Sequence, residues 1–166
     1  PLTDLLKKDA KFVWSSSCEK AFADTKAMLT GHPVLVCPDV RRQFILSVDA
    51  SDRGAGAVLQ HEESGILHPV AFFSKKLKSN ERKYSTIEKE TLSLLLALKH
   101  FDVYLCVTLY LIIVYSDHNP LVFLHKMCNQ NQRLTRWSLQ VQSYALEVRN
   151  VPGRNNVVAD VLSRMF

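Results

Sequence analysis

Four acidic residues stand where an α/β chain would place chemistry. Asp49 ends the apolar run 43–49 (QFILSVD), and Asp117 follows the run 109–116 (LYLIIVYS). Glu90 lies early in the helical stretch STIEKETLSLLLALKHF, and Asp160 early in the terminal stretch NVVADVLSR. In an open α/β sheet, functional groups gather where strands end and helices begin, so these four could converge on one edge. Four carboxylates in one place repel one another unless cations neutralise them. Ligation by oxygen alone suits magnesium or manganese rather than zinc. Two such ions about 4 Å apart clamp the attacking and leaving oxygens of a phosphodiester. Phosphate hydrolysis is the chemistry such a set would perform.

Each acid also has an ordinary reading. Asp49 could be a strand-ending turn residue of the DASD segment, although Asp52 suits the turn better. Glu88 is explained as the third helical residue of a capping box with Ser85. Glu90 lies two residues further on and shares its helix face with Ile87, Thr91, Leu94 and Leu98, a face that should pack on the sheet. Its alternative is a solvated glutamate near a helix start. Asp117 could be an N-cap, and Asp160 could sit where a helix dipole favours it. Ser51, Ser116 and Asn119 flank the acids and could touch phosphate or ribose, though each also suits a turn or cap. Arg133, Arg136, Arg149 and Arg154 could meet phosphates, with a solvated face as the default.

The elements that must position these residues read as follows. Ser16 and Glu19 fit a capping box ahead of a helix carrying Ala21, Phe22, Thr25 and Met28 at helical spacing, ended by His32-Pro33. Pro38 and Asp39 mark a break, so the chain divides into a helical segment, 1–38, and a main domain, 39–166. Strand-like runs follow at 43–49, 54–60 and 67–74, with connections short enough for antiparallel hairpins. Gly54 and Gly56 flank a point where the backbone must bend or admit a close neighbour. A helix is expected over 86–101. The apolar stretch 103–115 is too short for a membrane span and reads as a buried strand, its core being the run 109–116. Asn119-Pro120 opens a short helix, 133–143 is amphipathic with Leu134, Trp137 and Val141 on one side, and 145–151 alternates as a strand. Pro152-Gly153 breaks it, and Asn156 can cap a last helix over 157–164. The order β-β-β-α-β-α-α-β-α implies an α/β fold with a five-stranded mixed sheet. Three strands join as antiparallel hairpins, two run parallel, and helices cover both faces.

Composition narrows the class. Apolar residues make up 47% and charged residues 22% of 166 residues, ordinary for one soluble domain with a short appendage. The net charge of +5 is compatible with a polyanionic partner without demanding one. Cys18, Cys37, Cys106 and Cys128 are scattered, with no CxxC and no histidine at zinc spacing, so they read as reduced thiols of an intracellular protein. The chain opens with PLTDLLKK, without a signal peptide, and is expected to be a piece of something longer.

The motifs VDASDRGAGAVLQ, HPVAFFSKKL, KYSTIEKETL, ALKHF, YSDHNPL, RLTRWSLQVQSY and VPGRNNVVADVLSR occur in this order across the chain. Together they resemble the ribonuclease H domain of gypsy-type LTR retrotransposon reverse transcriptases, and the opening segment resembles the polymerase thumb or tether that precedes it. The resemblance implies the ribonuclease H fold and cleavage of the RNA strand of RNA–DNA hybrids, leaving a 5′-phosphate and a 3′-hydroxyl. It matches Asp49, Glu90, Asp117 and Asp160 to the four metal-binding acids, with two Mg²⁺ ions and Mn²⁺ as a substitute. Asp49 would bridge both ions, Glu90 and Asp117 would complete one site, and Asp160 would help hold the other. One ion would activate water and the other stabilise the leaving oxygen. The implied partners are the hybrid and the polymerase portion of the same polyprotein. No membrane is implied, the oligomeric state is open, and the location is cytoplasmic, within a virus-like particle, or nuclear.

Two departures from the family pattern stand out. The loop 152–156 (PGRNN) has no histidine, and the segment 127–133 (MCNQNQR) is a short, scarcely basic stand-in for the substrate-grasping helix of cellular forms. Weak hybrid binding by this chain alone is therefore expected. Two other readings stay open: a silent, domesticated or connection-like module of the same fold, and a DNA-processing relative such as an integrase or resolvase. No YxDD-like segment is present, so polymerase activity is not expected.

Overall fold

The computed structural model describes residues 1–6, 11–30, 35–117 and 132–166. Asn119, His118, Cys128, the helix expected at Asn119-Pro120, most of the MCNQNQR segment and the His32-Pro33 helix stop lie outside them. The chain forms two compact units, Pro1–Val34 and Leu35–Phe166. The first holds a 3₁₀ turn, Leu2–Leu6, and helix α1, Ser16–Thr30. The residue that caps α1 is Ser15, not Ser16. Its carbonyl accepts from the Cys18 and Glu19 N–H groups at 2.9 and 3.0 Å. Glu19 is engaged by the Trp14 indole N–H rather than by a capping serine.

The second unit is built on strands β1 (Ile45–Ala50), β2 (Gly54–Glu63), β3 (Ile66–Lys76), β4 (Ile112–Ser116) and β5 (Leu146–Asn150). Their order across the sheet is β3-β2-β1-β4-β5. β1, β2 and β3 pair antiparallel, while β4 runs parallel to both β1 and β5. This is the mixed sheet that the hairpin-then-crossover pattern predicted. The β2–β3 hairpin turns on Ser64 and Gly65, with φ of 53° and 79°, the paired positive angles that match the twist of the flanking strands. The register slips between Leu59 and Gln60, which pair with Ala71 and Pro69. Pro69 has no N–H to give the ladder, and a bulge beside it absorbs the loss. Its carbonyl accepts from Val36 at 2.8 Å. That bond ties residue 36 to the sheet, within the second unit.

Helices α2 (Thr86–His100), α3 (Asp102–Leu105), α4 (Gln132–Val141) and α5 (Val157–Ser163) complete this unit. Along β1 and β2 the alternate residues Phe44, Leu46, Val48, Ala55, Ala57 and Leu59 join Leu94, Leu95 and Leu98 of α2 in one buried core. Each fully buried aliphatic side chain there contributes roughly 1.5–3 kcal/mol. The Ser85 cap forms as predicted, its N–H donating to Glu88 Oε2 at 2.9 Å. Arg133 of α4 donates to the other Glu88 oxygen at 2.7 Å, joining α4 to α2.

The stretch 103–115 is not one strand. Tyr104 and Leu105 bond back to the Phe101 carbonyl, and Cys106 to that of Asp102, closing α3. Leu109 is 96% exposed, and pairing begins only at Ile112. Asp102 at a helix start and the local i→i+4 bonds outweigh β-propensity in the first part of the run.

The opposite sheet face is covered by α5, and two glycines make room for it. A Cβ on Gly56 would stand 2.4 Å from both the Ala159 carbonyl oxygen and the Ser163 nitrogen. One on Gly54 would stand 2.6 Å from the Ser163 carbonyl oxygen. The close neighbour expected at this point is thus a helix backbone. The Gly56→Ala substitution should cost about 3 kcal/mol through overpacking against main-chain atoms that cannot rotate away. Urea denaturation would measure it, and a loss below about 0.5 kcal/mol would mean that α5 does not lie on β2 in solution.

Candidate metal centre

Parallel pairing brings two of the acids together. Ser47 of β1 pairs with Tyr115 of β4. Two residues further along each strand stand Asp49 and Asp117, on the same face by the period-two rule. Asp49 lies opposite Gly56 on β2, directly beneath α5. Glu90 reaches the same rim from α2, one turn after its capped start. Oxygens of Asp49, Glu90 and Asp117 all lie within 4.8 Å of one another. Asp49 and Glu90 are buried and Asp117 is exposed, so the cluster opens to solvent on the Asp117 side.

Asp160 is set apart from this trio. It faces the rim from α5 near enough for its charge to raise the Asp49 carboxyl. Its own Oδ1 accepts from Arg164 Nε at 2.6 Å.

Burial and crowding work in one direction on the inner acids. Burial first, then the negative charges of Asp49 and Asp117, push Glu90 up to about 8, against a backbone hydrogen bond from Ala50. Asp49 is raised by burial and by Asp117 and Asp160, with the neighbouring Ser163 hydroxyl and Arg164 pulling the other way. Among the described residues, Asp49 Oδ2 and Glu90 Oε2 are buried without a hydrogen-bond partner. Leaving such oxygens unsatisfied costs on the order of 1–3 kcal/mol each, more when charged. A hard divalent cation is the partner that an all-carboxylate set fits.

The backbone around the acids is held from several sides. Ser93 Oγ donates to the Asp49 carbonyl at 2.7 Å, and Asn150 Nδ2 donates to the Asp117 carbonyl at 3.2 Å. Asn156 holds the N-cap position of α5 as expected, its carbonyl accepting from the Asp160 N–H at 3.1 Å, while its side-chain Nδ2 donates to the Val48 carbonyl at 2.8 Å rather than capping the helix. It is nearly fully buried and ties the start of α5 to the strand that carries Asp49. A Cβ on Gly153 would lie 3.1 Å from Asp117 Oδ2, so the β5–α5 turn packs on that acid. Ser93 and Asn150 were not singled out from sequence, and Asn156 and Gly153 only as a cap and a break, because each acts on an atom distant in the chain. Only Arg164, four residues after Asp160, carried a local signal, the i,i+4 spacing of a helical ion pair.

The flanking residues separate in the structure. Ser51 is spent on its turn and on α5: its hydroxyl lies 2.6 Å from the Ser163 carbonyl and accepts from the Gly54 N–H at 2.9 Å. Ser116 is fully buried, with its carbonyl taken by the Val151 N–H at 2.9 Å. Its direct touch on a substrate is thus replaced by a part in holding the end of β4. Arg154 is exposed in the 3₁₀ turn Gly153–Asn155, next in sequence to the glycine that packs on Asp117. Asn119 lies outside the described residues.

Residues 39–144 match the family model of the RNase H-like domain found in reverse transcriptase. The chain belongs to that family. The match stops ahead of β5 and α5, so Asp160 falls beyond it. This RNase H-like chain is 36% identical over 164 residues to the retrovirus-related Pol polyprotein from transposon 412 of Drosophila melanogaster. It is 35% identical over 168 residues to the transposon Tf2-3 polyprotein of Schizosaccharomyces pombe. Each alignment covers 99% of this chain and 13% of the relative, so the chain spans a small fraction of the length of the proteins it matches.

Two solved structures share the fold. The foamy viral protease-reverse transcriptase dRH in complex with double-stranded DNA superposes with a TM-score of 0.60 at 18% identity, over 88% of this chain and 26% of that one. LC11-RNase H1 in complex with an RNA/DNA hybrid gives 0.57 at 15% identity, over 72% of this chain and 93% of that one. No helix among the described residues is long and apolar enough to cross a membrane.

The raised Glu90 carboxyl has a consequence for stability. Folded chain holds a proton on Glu90 up to about pH 8, whereas unfolded chain releases it near 4.5. Between those values the native state binds more protons, so stability falls as pH rises. Without divalent ions, wild-type stability should drop by a few kcal/mol from about pH 5 to about pH 8, since one proton's difference is worth roughly 1.4 kcal/mol for each step of one in pH. The Glu90→Gln variant should be flatter over that range. Equal slopes in chemical denaturation would show that Glu90 is not buried as described.

Proposed function

We propose that this RNase H-like domain hydrolyses the RNA strand of RNA–DNA hybrids as part of a gypsy-type LTR retrotransposon reverse transcriptase. The observation that carries the reading is the pair of buried oxygens on Asp49 and Glu90, unpartnered among the described residues and gathered with Asp117 at the solvent-facing end of two parallel strands. Asp49, Glu90, Asp117 and Asp160 would hold two Mg²⁺ ions, with Mn²⁺ as substitute. When bound, such ions activate the attacking water and stabilise the leaving 3′-oxygen of the phosphodiester.

The chain's own contribution is positional. Asp49, fixed through its carbonyl by Ser93, is the central ligand, flanked by Glu90 from α2 and by Asp117 from β4. Burial of Asp49 and Glu90 excludes water from the inner side, and the exposed Asp117 marks the side on which a phosphodiester would approach. Arg154, exposed beside that rim, is the cation we assign to a substrate phosphate. Residues 1–38 serve as the thumb-like or tether-like segment and 39–166 as the nuclease. The rest of the polyprotein supplies the polymerase portion, and the work is done inside the cell. Support comes from the Pol polyproteins to which the whole chain aligns, and from the fold shared with an RNase H1 bound to a hybrid.

The full chain, given Mn²⁺ or Mg²⁺, should cut a labelled hybrid and leave a 5′-phosphate. The Asp49→Asn variant should lose at least about 100-fold in rate, as the removal of several kcal/mol of charge stabilisation requires. A wild type inert in both metals would favour a silent module of this fold. Cutting of duplex DNA without hybrid would favour a DNA-processing relative. Because no strongly basic segment supplements the rim, hybrid binding by this chain at physiological salt should be no tighter than about 1 μM. Arg154→Ala should weaken it further and lower its salt dependence, as fluorescence anisotropy would read.

A further inference from the structure

Helix α5 carries both the fourth acid and a cation placed on it. Arg164 follows Asp160 by one helical turn, and its Nε donates to Asp160 Oδ1 at 2.6 Å. Asp160 above all, and more weakly the charges of Asp49 and Asp117, hold the same guanidinium more firmly protonated. Among the described residues, the acids with oxygens within 4.8 Å of one another are Asp49, Glu90 and Asp117, without Asp160. A divalent ion needing Asp160 therefore meets a carboxylate that is already paired with a cation.

The surroundings of the pair are asymmetric. The last turn of α5 is pinned to the sheet through main-chain atoms: the Ser51 and Ser74 hydroxyls donate to the Ser163 and Leu162 carbonyls, each at 2.6 Å. The backbone also lies against Gly54 and Gly56. The Arg164 side chain, in contrast, is 66% exposed. The guanidinium can leave Asp160 by side-chain rotation alone, with the helix in place. An exposed ion pair of this kind is worth up to about fivefold in an equilibrium constant, enough to compete with an ion without excluding it.

We infer that Arg164 is a resident counter-cation for Asp160, which the second divalent ion must displace, so that the two ions load in order. The ion held by Asp49, Glu90 and Asp117 enters first. The Asp160 ion enters at higher concentration, set in part by Arg164. This inference rests on the metal-dependent reading above and concerns only the order and affinity of loading.

The test is a Mn²⁺ titration of the full chain without nucleic acid, followed by calorimetry and by electron paramagnetic resonance of free Mn²⁺. Wild type should take up one tighter and one weaker ion. Arg164→Ala should tighten the weaker ion about fivefold and move the tighter one by less than twofold. Arg164→Gln, which keeps most of the chain length, should behave likewise and covers the case in which the alanine variant misfolds. Asp160→Asn should abolish the weaker ion, and adding Arg164→Ala to it should then change nothing. A weaker ion unmoved by either Arg164 variant, or a second ion undetected in wild type and both variants, would overturn the inference. So would equal tightening of both ions, since that would make Arg164 a diffuse charge only. If wild type binds no ion, or binds as well with Asp49→Asn, the nuclease reading falls and this inference with it. If the first ion binds and depends on Asp49 while the second ignores Arg164, the inference alone fails.

Discussion

A helix backbone lies directly against a strand at Gly56, and the acidic rim depends on that contact. Asp49 is paired across the sheet with Gly56, so the residue that lacks a side chain stands beside the acid at the centre of the cluster. Any Cβ there would lift α5 from the sheet and carry Asp160 and Arg164 away from Asp49. Asn156 at one end of α5 and Ser163 at the other then fix the helix in register, through hydrogen bonds that main-chain carbonyls accept. Main-chain contacts suit this task, since they leave no rotamer to relax.

The second constraint is electrostatic. Packing forces carboxylates together while burial removes the water that would screen them, and the carboxyl groups of both inner acids are raised as a result. Among the described residues no group satisfies the buried Asp49 Oδ2 and Glu90 Oε2 oxygens, and cations would relieve them. Strain of this kind is typical of functional sites, where local rules are broken and the cost is carried by the scaffold. Here the scaffold is the α2 core, where Leu94, Leu95 and Leu98 bury against β1 and β2. The polar cost is confined to one edge of the sheet, and that edge faces solvent through Asp117.

Much of the architecture was legible in the chain because it is encoded locally. The Ser85–Glu88 capping box and the period-two pattern of the hairpin strands rest on neighbours a few residues apart, and the structure follows them. The departures occur where a local signal competes with another partner. Asn156 takes the N-cap position of α5, yet its amide bonds a buried carbonyl on β1 rather than the helix. Ser16 lost the cap to Ser15, one residue away and equivalent in chemistry. The stretch 103–115 is uniformly apolar, and composition could not reveal that helical bonds would claim its beginning and leave Leu109 in solvent.

The sequence by itself determined the family, the five strands with their hairpin and parallel pairing, and the four acids worth watching, because motif order and periodicity are properties of the chain. Tertiary structure decided which acids share a pocket, which is paired with an arginine, and which flanking serines are consumed by the scaffold. Those outcomes depend on strand register and on how closely a helix can approach a sheet. Both are distances between residues remote in sequence, and no local pattern specifies them.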